Sequence, residues 1–327
     1  MAENYGLPYT GSKSRIAHWV IDNLPCGRVL IDAFAGGCAI THRALLSDKW
    51  QTIIANDING KYPQLFLDAV RGKYRDEKRW ISREDFERLK KKDACVACCF
   101  SFGNNLKDYM YSQGVEPYKR ALHYAIVFND FEPMQELMPE VAQAVHEAIH
   151  WIRNTHERRV TAQNVIVKTL KRLTGDNYAH QIIQSNPLYR TIKHTSRNTQ
   201  SLKSLQGLQS LESMERLKRL QRLQSLERLE ITSLSYADID IPDDAVVYCD
   251  PPYHAYDNSI YEGTAKAFDH CAFYDWCVRV SKTNPIFISE YSIEDDRFEI
   301  VAEKQKLTRL ASSKSSIVTE RLYTVKK

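Results

Sequence analysis

Apolar positions near the start of the chain alternate between helical spacing and short unbroken runs. Residues 14–24 (SRIAHWVIDNL) set Ile16, Val20, Ile21 and Leu24 one helical turn apart, and Pro25 and Gly27 end that helix. RVLIDAF (28–34) is a short apolar run of the kind a buried strand shows. AGGCAITHRALL (35–46) opens on glycines and continues with helical periodicity, and QTIIANDI (51–58) is a second buried strand ending on an acid. Strand, helix and strand in this order predict a βαβ unit, hence a parallel sheet with helices on its faces.

From about Lys61 to His194 the pattern is mostly helical, with an amphipathic helix at 140–154 (EVAQAVHEAIHWIRN) and loop signals at FGNN (102–105) and SNP (185–187). In residues 201–230, Leu202, Leu205, Leu208, Leu211, Met214, Leu217, Leu220, Leu223, Leu226 and Leu229 recur every third position. An α-helix turns once per 3.6 residues, so this spacing drifts by about 60° per step and spirals around a helix, and no single face could bury it. A helix wrapped on several sides, a short solenoid and a loose low-complexity insert all fit; near-repetition of SLQ, RLQ and SLER favours the insert. The sheet pattern returns after Ile231, with AVVYCD (245–250) and NPIFISEY (284–291) as strands and SSIVTERLYTV (315–325) as an edge pair. The expected organisation is a discontinuous α/β domain (1–60 and 231–327), a mostly helical insertion (61–200) and a leucine-rich repeat segment (201–230).

Composition narrows the class. The chain has 327 residues, 43% of them hydrophobic and 26% charged, as in soluble globular proteins. No apolar run is long enough to span a membrane, and the N-terminus lacks the apolar core of a secretory signal, so a cytoplasmic location is expected. The eight cysteines are then expected to be reduced. Cys95, Cys98 and Cys99 form a CxxCC cluster without a second ligand pair nearby, which reads as buried small side chains rather than a zinc site. The net charge of +4 is compatible with a polyanionic partner without establishing one. Two basic stretches, 71–92 and 151–173, suit either phosphate contacts or a solvated helix face.

The glycine loop Asp32-Ala33-Phe34-Ala35-Gly36-Gly37 follows the first strand, where a backbone without Cβ atoms can approach a ligand. Asp57 ends the second strand 21 residues after Gly36, at the spacing of an acid that binds ribose hydroxyls. Together they predict an adenosine-containing cofactor; a nicotinamide cofactor is disfavoured because GxGxxG is absent. Asp250-Pro251-Pro252-Tyr253 follows the strand AVVYC, and the two prolines make a rigid turn where open α/β sheets hold ligands. A carboxylate and a carbonyl there can accept hydrogen bonds from an aromatic amine, and Tyr253 can stack on a flat ring. No GxxxxGK[ST] occurs, Ser101 lacks the flanks of a nucleophile elbow, and His18, His42 and His123 read as ordinary helix residues.

These motifs, DPPY after an apolar strand with Phe34-Ala35-Gly36 and the acidic second strand upstream, resemble the Dam-like (D12 class) DNA adenine N6-methyltransferases of phages and bacteria. Tyr9-Thr10-Gly11-Ser12-Lys13 is similar to the family's N-terminal aromatic-x-G-x-K motif, and Asn56-Asp57-Ile58-Asn59 to its ribose-binding motif. FSFGNN (100–105), FDHCAFYDW (268–276) and ISEY (288–291) are similar to further family segments. The resemblance implies a Rossmann-like S-adenosylmethionine-dependent domain acting on adenine N6 in duplex DNA after base flipping. It implies that Tyr9, Lys13, Phe34, Gly36 and Asp57 contact the cofactor, and that Asp250 faces both cofactor and target amine. It further implies that Pro251 offers its carbonyl from the turn that Pro252 stiffens, and that Tyr253 stacks on the base. The motif order resembles the alpha group, which implies target recognition in residues 61–200. The chain departs from the family at Cys38, where a glycine is usual, and at Ser235-Tyr236, where an acid precedes the aromatic; Tyr236 keeps the ring that can stack on the cofactor's adenine. Neither metal nor membrane is implied, and the oligomeric state and recognised sequence stay open, GATC being the family's suggestion. An RNA adenine methyltransferase and a DNA-binding protein with a decayed site remain as rivals.

Overall fold

The computed structural model describes residues 4–175, 208–221, 223, 226–253, 268–309 and 315–327. The loop expected at 185–187 and the repeat leucines Leu202 and Leu205 lie outside the described residues. In chain order, a 3-10 turn (Lys13–Arg15) leads into α1 (Ala17–Asn23), β1 (Val29–Asp32), α2 (Ala39–Leu45), β2 (Thr52–Asn56) and α3 (Lys61–Val70). A helical run follows: α4 (Arg83–Leu89), α5 (Ala94–Phe100), α6 (Glu116–Phe128), α7 (Glu132–Leu137), α8 (Pro139–Ile149) and α9 (Thr155–Gly175). Then come α10 (Gln209–Leu220), β3 (Leu229–Thr232), β4 (Val246–Cys249), α11 (His270–Val280), β5 (Ile286–Glu290), β6 (Phe298–Arg309) and β7 (Ser315–Val325).

The chain divides into two compact units, one of Met1–Arg75 with Arg216–Lys327 and the other of Asp76–Glu215. The first holds a seven-stranded sheet in the order β3-β2-β1-β4-β5-β7-β6, the Rossmann-like α/β architecture expected. Strands β3, β2, β1, β4 and β5 run parallel, while β7 pairs antiparallel with β5 and with β6. Every residue of β1, β4 and β5 is buried, because a parallel sheet is covered on both faces; that is why these strands read as unbroken apolar runs. On one face Val29, Ile31, Val247, Cys249, Ile286 and Ile288 pack with Phe273, Trp276 and Cys277 of α11.

Two sequence expectations change here. The segment 315–325 is not at an edge: β7 lies between β5 and β6, and β6, whose apolar run is only the short Ile300-Val301-Ala302 before a polar stretch, is the edge strand at that end. The repeat is not loose where it is described. Helix α10 buries Ser210, Leu211, Ser213, Met214, Leu217 and Leu220, which at about 100° per residue cover roughly half its circumference. The expectation that no single face could bury the repeat fails here, because over one short helix the drift spreads the buried positions across a broad face instead of carrying them all the way round. Leu229, the last repeat position, begins β3.

The second unit is helical as described. Its core includes Phe86, Cys95, Cys98 and Cys99, all buried, and Trp80 stacked on Tyr111 with centroids 5.6 Å apart. Basic residues of both stretches are engaged within the unit: exposed Arg79 pairs with Glu77 and Asp93, and Arg83 bonds the Tyr111 carbonyl. Arg158 donates to the Ala125 carbonyl at 2.6 Å, and Arg159 binds Glu212 and Glu215 at 2.9 Å. Among the described residues no helix is long and apolar enough to cross a membrane, and no group of three or more His, Cys, Asp and Glu could hold a metal ion.

Candidate active site

The strand order turns at β1, which has β2 on one side and β4 on the other. In open α/β sheets the crevice outside the strand ends at such a point holds ligands. Asp32 ends β1, Asp57 follows β2 and Asp250 follows β4, so carboxylates gather at one end of the sheet. Asp32 is 1% exposed, and its Oδ2 accepts the Thr41 amide at 3.1 Å and the Thr41 hydroxyl at 2.7 Å. Burial pushes its pKa up to about 7, opposed by the Thr41 bonds and reinforced by the charges of Asp250 and Asp57.

The glycine loop is held from beneath and above. Gly36 sits at φ +46°, and its amide donates to Asp57 Oδ2 at 2.8 Å. Asp57 Oδ1 accepts the Asn59 amide at 2.8 Å, and burial raises the Asp57 pKa against these two bonds. Tyr9 lies across the loop: a Cβ on Gly37 would come within 2.7 Å of the Tyr9 Cβ. Gly6, at φ +68°, lets the N-terminal segment approach so closely that an added Cβ would stand 2.3 Å from the Gly37 carbonyl oxygen. The Leu7 amide donates to that same oxygen at 2.7 Å. The Gly6 amide donates to His42 Nδ1 at 2.9 Å, and burial followed by the Arg216 charge lowers the His42 pKa to about 4. Arg216 of α10 completes the brace by donating to the Gly6 carbonyl at 2.9 Å.

Cys38 caps the start of α2 at φ 56°, in the left-handed region that strains a residue with a Cβ, as the glycine expected there from the resemblance would not be. Asn56 spends its whole amide on the local backbone and a hydroxyl. Its Nδ2 donates to the Ala33 and Leu234 carbonyls at 3.0 Å, while its Oδ1 accepts the Thr232 hydroxyl at 2.8 Å and the Leu234 amide at 3.0 Å. This ties the loop after β1 to the loop after β3, which carries Ser235 and Tyr236. Ser235 caps the short turn Tyr236–Asp238. Half-buried Tyr236 and Phe34 meet at 5.6 Å between centroids and 31° between planes, and Phe268 stands 5.9 Å from Phe34.

The Asp250-Pro-Pro-Tyr turn carries a buried ionic cluster. Lys13, 8% exposed, places Nζ 2.6 Å from Asp250 Oδ1 and 3.8 Å from Glu320 Oε1. The same ammonium lies 4.5 Å from the centroid of the Tyr253 ring. Tyr253 donates its hydroxyl to Glu320 Oε1 and meets Tyr291 edge-to-face at 4.7 Å; burial, and then the Asp250 and Glu320 charges, raise its pKa. The Pro252 carbonyl accepts from His270 Nε2 at 2.9 Å; since a carbonyl cannot donate, that nitrogen carries the proton. The structure therefore gathers Tyr9, Gly36 and Asp57 in one group, Phe34 and Tyr236 in a second, and Lys13, Asp250 and Tyr253 in a third. Asp32 and Asn56 stood within the motifs read from the sequence without a role of their own, and Glu320 was not singled out.

The family described as D12 class N6 adenine-specific DNA methyltransferase matches residues 9–324. No curated protein matches the chain.

Proposed function

The chain belongs to that family of adenine-specific DNA methyltransferases, and on that premise we propose that it transfers the methyl group of S-adenosylmethionine to adenine N6 at a defined site in duplex DNA, with the adenine turned out of the helix. The observation that carries this reading is the meeting of Lys13, Asp250 and Tyr253 beside the switch point of the sheet.

The residues present fit an adenosine-bearing sulfonium. Gly36 and Gly37 offer backbone without Cβ atoms, and Asp57 has used two hydrogen-bond positions on the protein of the roughly four a carboxylate offers, leaving capacity for ribose hydroxyls. Phe34 and Tyr236 present half-buried rings suited to an adenine, and Tyr9 lies over the glycine loop. When bound, this cofactor supplies an electrophilic methyl group on a positively charged sulfur, which the surrounding carboxylates favour.

The remaining chemistry belongs to the chain. Asp250 accepts a hydrogen bond from the target amine and the Pro251 carbonyl accepts another, drawing the nitrogen lone pair out of conjugation with the ring. Pro251 and Pro252 fix the turn so that these acceptors need no rearrangement. Tyr253 holds the base by its ring; one face carries the Lys13 ammonium, so the base uses the other face or displaces the lysine. The helical unit is assigned the reading of DNA, with exposed Lys78, Lys91, Lys92, Arg120 and Arg153 as phosphate contacts. A DNA substrate supports action in the cytoplasm of a bacterial or phage-infected cell.

Labelled S-adenosylmethionine incubated with the protein and either unmethylated duplex DNA or RNA, followed by digestion to nucleosides, tests the reading. Label in N6-methyladenine from duplex DNA supports it. Label only from RNA identifies the other substrate, and failure to bind the cofactor identifies a decayed site.

A further inference from the structure

Glu320 is fully buried in β7, an expensive place for a carboxylate unless its neighbours compensate. Those neighbours belong to the site. Its Oε1 accepts the Tyr253 hydroxyl and lies 3.8 Å from Lys13 Nζ, which is itself 2.6 Å from Asp250. The prolines fix the backbone of the turn but leave the Tyr253 side-chain torsions free. The bond to Glu320 removes that freedom, and its anchor is held in the sheet: Glu320 pairs with Lys304 of β6, and the next residue, Arg321, pairs with both Glu303 of β6 and Glu290 of β5.

We propose that Glu320 is a positioning residue for methyl transfer: it fixes the Tyr253 ring through the phenol and serves as second counter-ion for Lys13. The assignment rests on the functional reading above. When Asp250 turns a lone pair toward the target amine, its hold on Lys13 weakens. Glu320 then keeps the ammonium paired, so the cluster need not reorganise as the reaction proceeds.

The test compares wild type, Glu320→Ala, Glu320→Gln, Tyr253→Phe and the double variant Tyr253→Phe/Glu320→Gln in steady-state methylation of duplex DNA, per folded molecule. Glu320→Ala lowers kcat on the order of tenfold or more, as loss of positioning does. Glu320→Gln keeps an acceptor for the phenol and falls between the two. Because a neighbouring negative charge is gone, both move the acid limb of the kcat/KM profile to lower pH. In the double variant the loss is smaller than the product of the single losses, since Tyr253→Phe removes the bond that Glu320→Gln only weakens. Wild-type kcat and an unmoved pH profile in the Glu320 variants, or losses that simply multiply, overturn the role. If Glu320→Ala fails to fold, Glu320→Gln and Tyr253→Phe decide it. A wild type that methylates no adenine overturns the functional reading itself, whereas an active wild type with unaffected variants overturns only Glu320.

Discussion

Asp32 ends β1 with both of its observed hydrogen bonds on Oδ2, each from Thr41. Its pKa is raised to about 7 from 3.8, with burial as the largest cause. A carboxyl raised in the folded state binds a proton that the unfolded chain has already released, so stability falls as pH rises between those values. Asp32→Asn keeps one acceptor for both Thr41 donors and cannot titrate. Urea midpoints from pH 4 to pH 8 should show the wild type losing stability relative to this variant, by as much as about 4 kcal/mol. Parallel pH profiles for the two proteins would show that Asp32 does not titrate in this range. At Cys38 the strain of a left-handed residue sets the expectation: Cys38→Val, with a branched Cβ at φ 56°, destabilises by about 2 kcal/mol or more, while Cys38→Gly stays within about 1 kcal/mol of wild type. Thermal unfolding of the pair decides it. The residues legible in the sequence were those whose type is unusual for their place: glycines after a strand, an acid at a strand end, two prolines and a tyrosine after an apolar run. Asp32 and Glu320 are defined instead by what surrounds them. The one hint at Glu320 is strand parity, which puts it on the same side of β7 as buried Leu322.

The elements that make the site are joined by backbone approaches that single side chains permit. Gly6→Ala adds a Cβ within 2.3 Å of the Gly37 carbonyl oxygen at a positive φ, and neither backbone can yield without moving the loop that Asp57 holds. It should cost about 3 kcal/mol and weaken binding of S-adenosylmethionine, measured by chemical denaturation and calorimetry. An alanine variant with unchanged stability would mean that the N-terminal segment is not seated there. Helix α10 supplies a second case. Leu217 is 1% exposed, and Leu217→Ala should destabilise by about 2–5 kcal/mol, where a solvated repeat would tolerate it. Strands β1, β2, β4 and β5 and helices α1, α2 and α8 were visible in the sequence because burial on both faces or one face leaves a periodic trace, whereas β3, only partly buried, began within the repeat segment and was not seen. The period of three in α10 misleads because a narrow stripe is only one way to bury a helix. Strand β6 leaves too little apolar pattern to be seen.

At the scale of the molecule, the charge balance of +4 says little by itself, because some arginines of the basic stretches are taken up in ion pairs within their own unit, among them Arg79 and Arg159. Of the second basic stretch, Arg158 and Arg159 face inward, and substituting them should reduce stability rather than change the salt dependence of DNA binding. Lys91 and Lys92 are exposed. Replacing both with glutamine should weaken DNA binding and lower the slope of log affinity against log salt by about 2, which a titration at several salt concentrations reads directly. Because β2, β1 and β4 are parallel neighbours, their carboxyl ends form one surface, and the loops that carry Phe34, Asp57 and Asp250 leave from it. Asp250 is the residue on which the proposed chemistry depends most. The decisive measurement is therefore the rate of N6-methyladenine formation in duplex DNA by wild type and by Asp250→Ala, with folding and cofactor binding checked in parallel. Loss of 10²-fold or more, an order-of-magnitude figure for removal of a preorganised charge-stabilising group, in a variant that still folds is the expected result. Undiminished formation of N6-methyladenine by folded Asp250→Ala would contradict the assignment of this turn as the place where the amine is methylated.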